Sequence, residues 1–340
     1  MNIQINALDT LFFKDGKPFS MGEETWAASS FPPNPSVFAG FIKTIYIVQN
    51  QILINEAKQK TQQLQINLIN LVDDDIIYFP IPADIICYKH NLKDLKVEKL
   101  ELTKNETISN YNLPYILKSS ANIKTEDLQG DGQISLAQIK KYLNGELFDT
   151  SIFKIKDFLK SEPKIGIGRN NETRTSENGM LYRVGMQRIN KLKFQINFSG
   201  LDIESNGFNK LGAEGKIVNY YHKPAFVAPK VQINSNKFKI YLSTPAIFEN
   251  GFKPKTFLTD FDFEIKLIAC AIGKPNSIGG FDMLEKQPKN MYKAVPAGSV
   301  YYYETETIEQ AQVVSDKINS KSISEHLANE GYGICFTGNI

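Results

Sequence analysis

The chain has 340 residues, of which 42% are apolar, and a formal net charge of +2. This length suits two modest domains or one large one, and the near-neutral charge excludes a strong overall field for nucleic acid, so any such site must be local. Three widely separated cysteines fit a reducing cytoplasm without a disulfide framework. We see neither a signal peptide nor an apolar run long enough to span a bilayer, and we expect a cytoplasmic protein without a membrane partner.

Alternating apolar and polar residues from Ile3 to Leu8 predict the first strand. Asp15-Gly16 then predicts a tight turn. The segment from Ser20 to Pro35 is rich in Ser, Gly and Pro and contains the only tryptophan, Trp26. We expect it to be a long ordered loop, which inside a domain is usually functional.

The clearest helix begins at Pro35, with Asn34 as its N-cap. Apolar residues at helical spacing predict a side that faces the core: Val37, Phe38, Phe41, Ile42, Ile45 and Val48. Ser36 in the first turn and Lys43 further along form a candidate phosphate site, because helix N-termini bind anions. The alternative interpretation is a capped core helix with a surface lysine.

The patterns of residues 53–150 are mixed. Asp73-Asp74-Asp75 predicts the end of a helical stretch, and Ile76 to Tyr88 predicts paired strands interrupted by Pro80 and Pro82.

The segment from Thr125 to Ser135 resembles a calcium loop, with Asp127 and Asp131 at its first and fifth positions. Gln138 stands at the twelfth position, where a bidentate Glu is required. Two carboxylates are too few for a calcium cage, so we favour a turn followed by a helix from Ser135 to Leu143, with Ser135 as the cap.

All four arginines of the chain lie in one segment, Lys164 to Arg188: they are Arg169, Arg174, Arg183 and Arg188. Arg holds phosphate through a planar fork, whereas Lys is a hydrated point charge, so this concentration favours contact with a nucleic-acid backbone. Polar residues and glycines around them, including Asn170 and Thr175, predict a hairpin loop between two strands. The alternative is a solvated loop with surface ion pairs to Glu172 and Glu177.

Strands are predicted from Leu192 to Phe198 and from Gly215 to Tyr221, separated by a turn-rich link. His222 follows Tyr221 and precedes Lys223, and in this company it is a candidate general base for RNA cleavage. A surface histidine or a stacking platform is the alternative interpretation.

A domain boundary is predicted near Ala228, within the linker-like segment Pro224 to Pro229. Strands are predicted after it at Lys237–Thr244, Ala297–Tyr303 and Gly331–Thr337, with a short polar helix near Glu325. An apolar run, Phe263–Ile272, lies between the first two of these strands.

Gly279 and Gly280 predict a flexible loop, which lacks the ending of a phosphate-binding P-loop. Lysines follow around Tyr292 and form a candidate RNA-binding patch: Lys286, Lys289 and Lys293. An ordinary basic surface is the alternative.

The order strand, helix, strands, helix, strand occurs roughly twice. We therefore predict an α+β fold of two ferredoxin-like (RRM-like) domains, residues 1–228 with long insertions and an RNA-binding β-hairpin, and residues 229–340 with the glycine loop.

Four blocks carry a family resemblance: LDTLFFKDGKPFSMGEETWA, FPPNPSVFAGFIKT, IGIGRNNETRTSENGMLYR and IGGFDMLEKQPKNMYKAVPAGSVYYYE. With these blocks and the closing GYGICFTGNI, most of the chain resembles the Cmr3 family. That family is the third subunit of the type III-B (Cmr) CRISPR effector complex, within the RAMP superfamily.

The resemblance implies a non-catalytic subunit in antiviral defence that binds the 5′ handle of the CRISPR RNA and needs no cofactor or metal. Its implied partners are the large polymerase/cyclase-like subunit, the adjacent backbone RAMP subunit and target RNA near the handle end. The hairpin would grip RNA, Ser36 and Lys43 would meet handle phosphates, and Gly279-Gly280 with Lys289–Lys293 would complete the cradle. Two alternatives stay open: a metal-independent endoribonuclease that uses His222, and a purely protein-binding scaffold.

Overall fold

The protein is described from a computed structural model. The described residues are 1–14, 26–27, 29–89, 95–106, 111–120, 125, 128, 130–149, 151–170, 172–224, 226–282 and 287–340. The predicted Asp15-Gly16 turn and residues 20–25 and 28 of the predicted loop lie outside these residues.

Strands dominate the fold. In chain order they are β1 (Asn2–Ala7), β2 (Trp26–Ala27), β3 (Gln65–Asp73), β4 (Ile76–Pro80), β5 (Ile85–Lys89), β6 (Leu95–Lys99), β7 (Glu101–Lys104), β8 (Tyr115–Lys118), β9 (Gly132–Ser135), β10 (Phe153–Lys154), β11 (Leu159–Arg169), β12 (Ser176–Ile189), β13 (Lys193–Ser199), β14 (Asn206–Lys210), β15 (Ile217–His222), β16 (Lys237–Leu242), β17 (Lys266–Ala271), β18 (Asn276–Ile278), β19 (Phe281–Asp282), β20 (Gln287–Pro288), β21 (Tyr292–Ala294), β22 (Val300–Glu304) and β23 (Cys335–Asn339). The helices are α1 (Pro35–Gln49), α2 (Ala57–Lys60), α3 (Leu136–Leu143) and α4 (Ile308–Ile318), with 3-10 turns at Ile155–Phe158, Thr256–Asp260 and Ala328–Glu330. Among the described residues, no helix is long and apolar enough to cross a membrane.

The larger sheet has the strand order β10-β9-β4-β3-β13-β1-β15-β14. The predicted first strand is confirmed as β1, and its alternation sorts side chains between two faces. Ile3 and Ile5 are fully buried in the main core, whereas Gln4 lies on the opposite face beside Gln195 and Tyr221. One face of the sheet is thus apolar and the other is rich in amides.

Helix α1 packs on the apolar face of this sheet. It begins at Pro35 as predicted, and Phe38, Phe41 and Ile42 are buried in the main core. The prediction was wrong for Val48, which lies in the last turn of the helix and is 71% exposed. Asn34 occupies the N-cap position but makes no side-chain capping bond.

The smaller sheet has the order β17-β22-β16-β23, and all neighbouring strands are antiparallel. Numbered along the chain, its strands lie in the order second, third, first, fourth. The series β3-β13-β1-β15 within the larger sheet repeats this order, also antiparallel throughout. In the first series α1 connects strands one and two, and in the second α4 connects strands three and four.

The smaller sheet lies between two cores. On one face, Phe238, Ile240 and Tyr301 pack in a core that includes Val314 of α4. On the other face, Tyr241, Tyr302 and Phe336 join the core of the larger sheet. The two sheets therefore share one hydrophobic core, with strands from residues 2–222 on one side and 237–339 on the other. The boundary near Ala228 stays a prediction.

A buried polar junction also connects the two halves. Lys239 on β16 is fully buried; its Nζ donates to the Tyr142 carbonyl at 2.7 Å and lies 3.5 Å from the centroid of the Tyr142 ring. Asp84, equally buried, accepts hydrogen bonds from the hydroxyls of Tyr142 at 2.8 Å and Tyr302 at 2.5 Å. Desolvation lowers the pKa of Lys239 to about 7, against the attraction of the Asp84 carboxylate.

Several predicted elements differ from the structure. Residues 65–73 form β3 rather than a helical stretch before Asp74, because Ile66, Leu68 and other alternating residues are buried in a sheet. β4 and β5 are not paired with each other: β4 pairs with β3 and β9, and β5 with β6. The link before β15 contains the unpredicted strand β14.

The helix predicted near Glu325 is wrong, since only the short 3-10 turn at Ala328–Glu330 lies there, and α4 was not predicted. The helix after Ser135 is confirmed. The Ser135 hydroxyl accepts from the Gln138 N–H, and the Gln138 side chain accepts from the Ser135 N–H, which forms a capping box.

Candidate nucleic-acid interface

The predicted hairpin is formed by β11 and β12, whose antiparallel register runs from Leu159↔Ile189 to Arg169↔Ser176. Its turn is organised by Asn170, whose side-chain oxygen accepts from the N–H groups of Glu172 at 2.8 Å and Thr173 at 3.0 Å. Arg174 occupies a left-handed conformation, with φ of 57°, and its N–H donates to the Asn170 carbonyl. The Thr173 and Thr175 hydroxyls lie 2.8 Å apart. The turn is therefore an Asx-type turn that projects Arg174 into solvent.

The root of the hairpin is attached to the rest of the fold. Val184 and Met186 pack against Phe12 and Ala27, and Leu11 exchanges backbone hydrogen bonds with Gln187. The opposite face of the hairpin carries Arg183, which pairs with Ile165 across the strands. Ile165 and Ile167 are each 60% exposed on that face.

The four arginines are not equivalent. Arg174 and Arg183 are exposed, and neither makes an ion pair within the described part of the chain. Arg188 lies at the root, where Nε and Nη2 donate to the two carboxylate oxygens of Glu162 at 2.6 and 2.8 Å. Nη2 is also 3.5 Å from Asp9 Oδ1, and hydrogen bonding to Glu162 raises the pKa of Arg188. The side chain of Arg169 lies outside the described part.

Ser36 and Lys43, the predicted phosphate contacts, connect α1 to the end of the chain. The Ser36 and Tyr332 hydroxyls share a hydrogen bond of 3.0 Å, and Lys43 Nζ lies 3.5 Å from Glu330 Oε1. Burial raises the pKa of Tyr332 to about 12, so it remains a hydrogen-bonding phenol at neutral pH. Both predicted side chains are thus already engaged by protein groups, and their contact with RNA stays a prediction.

A cleft of about 730 Å³ opens between the start of α1 and the segment after β17. Phe31, Pro35 and Phe38 line one wall, and Lys274 and Ser277 line the other. Sequence reasoning missed this cleft, because its walls come from residues more than 200 positions apart. A mixed apolar and polar lining and a volume in this range are typical of small-molecule binding pockets.

Next to the cleft, residues 276–282 and 287–294 form a small arm of two strand pairs. β18 pairs with β21 and β19 with β20, and the Lys289 N–H donates to the Gly280 carbonyl at 2.9 Å. Lys293 Nζ donates to the hydroxyl of Ser277, its partner across β18 and β21, at 2.7 Å, so this bond joins the two strands at the root of the arm. The arm therefore contains both the predicted Gly279-Gly280 loop and two lysines of the predicted patch, Lys289 and Lys293. Lys286 lies outside the described residues.

Two exposed apolar residues of the arm, Phe281 at 54% and Met291 at 55%, were not singled out from the sequence. The signal was available: Phe281 directly follows the two glycines, between lysines. An aromatic ring among lysines is the composition of single-strand binding surfaces.

The two histidines that the structure describes have different surroundings. His222 is exposed at the end of β15, with Tyr221 donating to Gln4 at 3.0 Å and Lys223 lying 3.6 Å from Asp75. His326 instead stacks on Tyr292, with 5.0 Å between ring centroids, and His90 lies outside the described residues.

In the segment that resembles a calcium loop, Asp131 is paired with a lysine. Asp131 lies 3.3 Å from Lys156 Nζ, and its other oxygen accepts from the Lys156 N–H. Asp127 lies outside the described residues. In the part of the chain that the structure describes, no group of three acidic, histidine or cysteine side chains could hold a metal ion.

Comparison with known proteins places these features in a family. The sequence model of the family described as CRISPR-associated protein (Cas_Cmr3) matches residues 3–340. A chain of a type III-B Cmr-beta complex bound to cognate target RNA and AMPPnP has a TM-score of 0.54, with 15% identity over 94% of this chain and 90% of that one. A chain of the same type of complex bound to cognate target RNA scores 0.53, with the same identity and coverage. No curated protein sequence matches the chain.

At 15% identity, the structural likeness establishes the fold: a mixed α/β protein made mostly of sheets, of the kind found in Cmr subunits. The family model, which spans nearly the whole chain, is more specific. The chain belongs to the Cmr3 family of CRISPR-associated proteins.

Proposed function

We propose that this protein is a non-catalytic subunit of a type III-B CRISPR effector complex and binds the 5′ handle of the CRISPR RNA. The observation that carries the proposal is a set of cations at the hairpin and the arm that form no ion pair with a described residue, in a chain of the Cmr3 family. Arg174 and Arg183 lie on the hairpin, and Lys274 and Lys289 on the cleft wall and the arm; none makes an ion pair with a described residue. A polyanion binds such free cations, because pairing with phosphate releases counterions without breaking an existing ion pair.

The same proposal assigns partners and domains. The large polymerase/cyclase-like subunit, the adjacent backbone RAMP subunit and target RNA near the handle end are the proposed neighbours. Both halves are proposed to be ferredoxin-like domains, each with one of the two expected helices, which the repeated strand order supports.

The test compares arginines that differ in their protein partners. We would measure binding of labelled handle RNA across a salt titration, using the chain with its large-subunit partner. Arg174→Ala/Arg183→Ala should weaken binding and reduce the slope of log K against log salt by about 0.7 for each phosphate that the variant no longer neutralises. Arg188→Ala is the matched control, since Glu162 and Asp9 already neutralise that guanidinium, and it should leave the slope unchanged.

Unchanged affinity and slope in the double variant would contradict RNA contact by the hairpin and favour a protein interface for these arginines. The endoribonuclease alternative is tested by incubating the RNA with the protein in EDTA. Cleavage that disappears in His222→Ala would contradict the non-catalytic assignment.

A further inference from the structure

The arm that carries the glycine loop has a fixed root. Ile278 and Ala294, which lie on the paired strands β18 and β21, are 2% and 0% exposed and pack with Ile247 and Tyr332. The second hairpin continues from this root, with Phe281 opposite Pro288. Because the root is packed, the position of Phe281 relative to the cleft is set by the fold rather than by a free loop.

The ring of Phe281 is more than half exposed although the arm is attached to a core. Its paired residue is a proline, and the described neighbours leave 54% of the side chain in contact with solvent. An exposed aromatic ring costs solvation free energy, so a ring held in this way is typical of a contact surface.

The charge around the ring identifies the kind of contact. Among the described residues of 272–298, the charged side chains are three lysines, Lys274, Lys289 and Lys293, and one carboxylate, Asp282. None of the three lysines forms an ion pair with a described residue. The Lys293 ammonium donates a hydrogen bond to the Ser277 hydroxyl, which is uncharged. A flat apolar face beside lysines that form no ion pair with a described residue complements a nucleotide of a single strand, which has a π-face and a phosphate.

We propose that Phe281 is a stacking platform for one unpaired base of the bound RNA, with Lys289 and Lys293 on the flanking phosphates. This proposal rests on the proposed function and adds a subsite to it. The lysines hold the RNA phosphates beside the arm, and the base next to those phosphates stacks on the Phe281 ring. Since every base has a π-face, the subsite selects for an unpaired base rather than for its identity.

The test uses single-stranded RNA carrying the 5′ handle, with 2-aminopurine at one position at a time, and the full chain with its large-subunit partner. At one position, binding should quench the fluorescence, because the base stacks on the ring. Phe281→Ala should abolish this quenching and weaken binding about tenfold, with the salt slope unchanged, because the lysines still hold the phosphates. Phe281→Trp should retain both properties, which shows that the arm folds with a substituted ring.

The matched control is Phe208→Ala. Phe208 is 72% exposed on the edge strand β14 and belongs to a different part of the fold, so its removal should leave binding and quenching as in the wild type. Equal affinity and quenching in the Phe281→Ala and Phe208→Ala variants would overturn the subsite. If Phe281→Ala instead weakens assembly with the partner subunit at unchanged RNA affinity, Phe281 is a protein contact and the proposal is also overturned. Failure of the wild type to bind the RNA would contradict the proposed function itself.

Discussion

Replacing Lys239 by Met should change how the stability of the protein depends on pH. Lys239 is fully buried between α3 and the smaller sheet, and desolvation lowers its pKa to about 7. In the unfolded chain the ammonium titrates near 10.4. Between these two values the unfolded state binds more protons than the folded state, so stability rises with pH across this window and is lowest below it.

The magnitude follows from the two pKa values. Within the window the free energy of unfolding rises by at most about 1.4 kcal/mol per pH unit, which gives about 2 kcal/mol between pH 7 and pH 9. Tyr142 and Tyr302, which adjoin the site, keep their protons over this range because burial raises the pKa of both hydroxyls. Burial also raises the pKa of the Cys270 and Cys335 thiols, and their titration is common to wild type and variant. The lysine's contribution is therefore the difference between the two proteins, which Lys239→Met should remove.

The assay is urea denaturation of wild type and variant at pH 7, 8 and 9. The difference in the free energy of unfolding should shift by about 2 kcal/mol in favour of the wild type as the pH rises. Lys237→Met, two residues earlier on β16, is the matched control, because hydrogen bonding to Tyr115 raises the pKa of Lys237. Its ammonium stays protonated in both states over this range. Parallel pH profiles of wild type and Lys239→Met would refute the assignment of a lowered pKa to this lysine.

Three further substitutions, in two predictions, test a close backbone approach and the anchoring of a loop. Gly298→Ala should destabilise the protein by more than about 2 kcal/mol, because φ is 88° and an added Cβ would lie 2.5 Å from the Ile81 carbonyl oxygen. The control is Gly251→Ala: φ is 71°, but an added Cβ would have no neighbour within 4 Å, so the substitution should cost only about 1 kcal/mol. Both costs are measured by thermal unfolding, and equal costs would contradict the clash at Gly298. Partial desolvation tends to raise the pKa of Glu325, but hydrogen bonds from the backbone of residues 249–256 outweigh it and leave the pKa below its usual value. This stabilisation is present at neutral pH and is lost as the pH falls through the lowered pKa of Glu325. Glu325→Gln should therefore speed amide hydrogen exchange in residues 249–256 at pH 7 and have little effect at pH 3. Identical exchange in wild type and variant at pH 7 would show that the Glu325 carboxylate does not hold this loop.

Local patterns predicted local structure where the signals agreed. The alternation around Ile3 and Ile5 gave β1, Pro35 marked the start of α1, and Ser135 capped α3. The missed helix α4 carried a readable signal, since Thr307 and Gln310 form a capping box at its first turn. These features depend on residues within one or two turns of each other, which is why the sequence alone reveals them.

The strand partners could not be predicted in this way. β14 lies at the edge of the larger sheet, and β4 pairs with β9 across more than 50 intervening residues. Such pairings are decided by which faces can be buried together, and the local pattern of a short strand does not contain that information.

At the candidate site, too, the sequence determined some features and the tertiary structure determined others. The sequence alone determined that every arginine lies in one segment, that a glycine loop precedes a group of lysines, and that the blocks resemble one family. Only the tertiary structure decided which of these charges are available: Glu162 pairs with Arg188 across the hairpin, and Glu330 reaches Lys43 from 287 residues away. A charge is a property of its own residue, whereas its freedom to bind a ligand depends on the groups that long-range packing brings within a few ångströms.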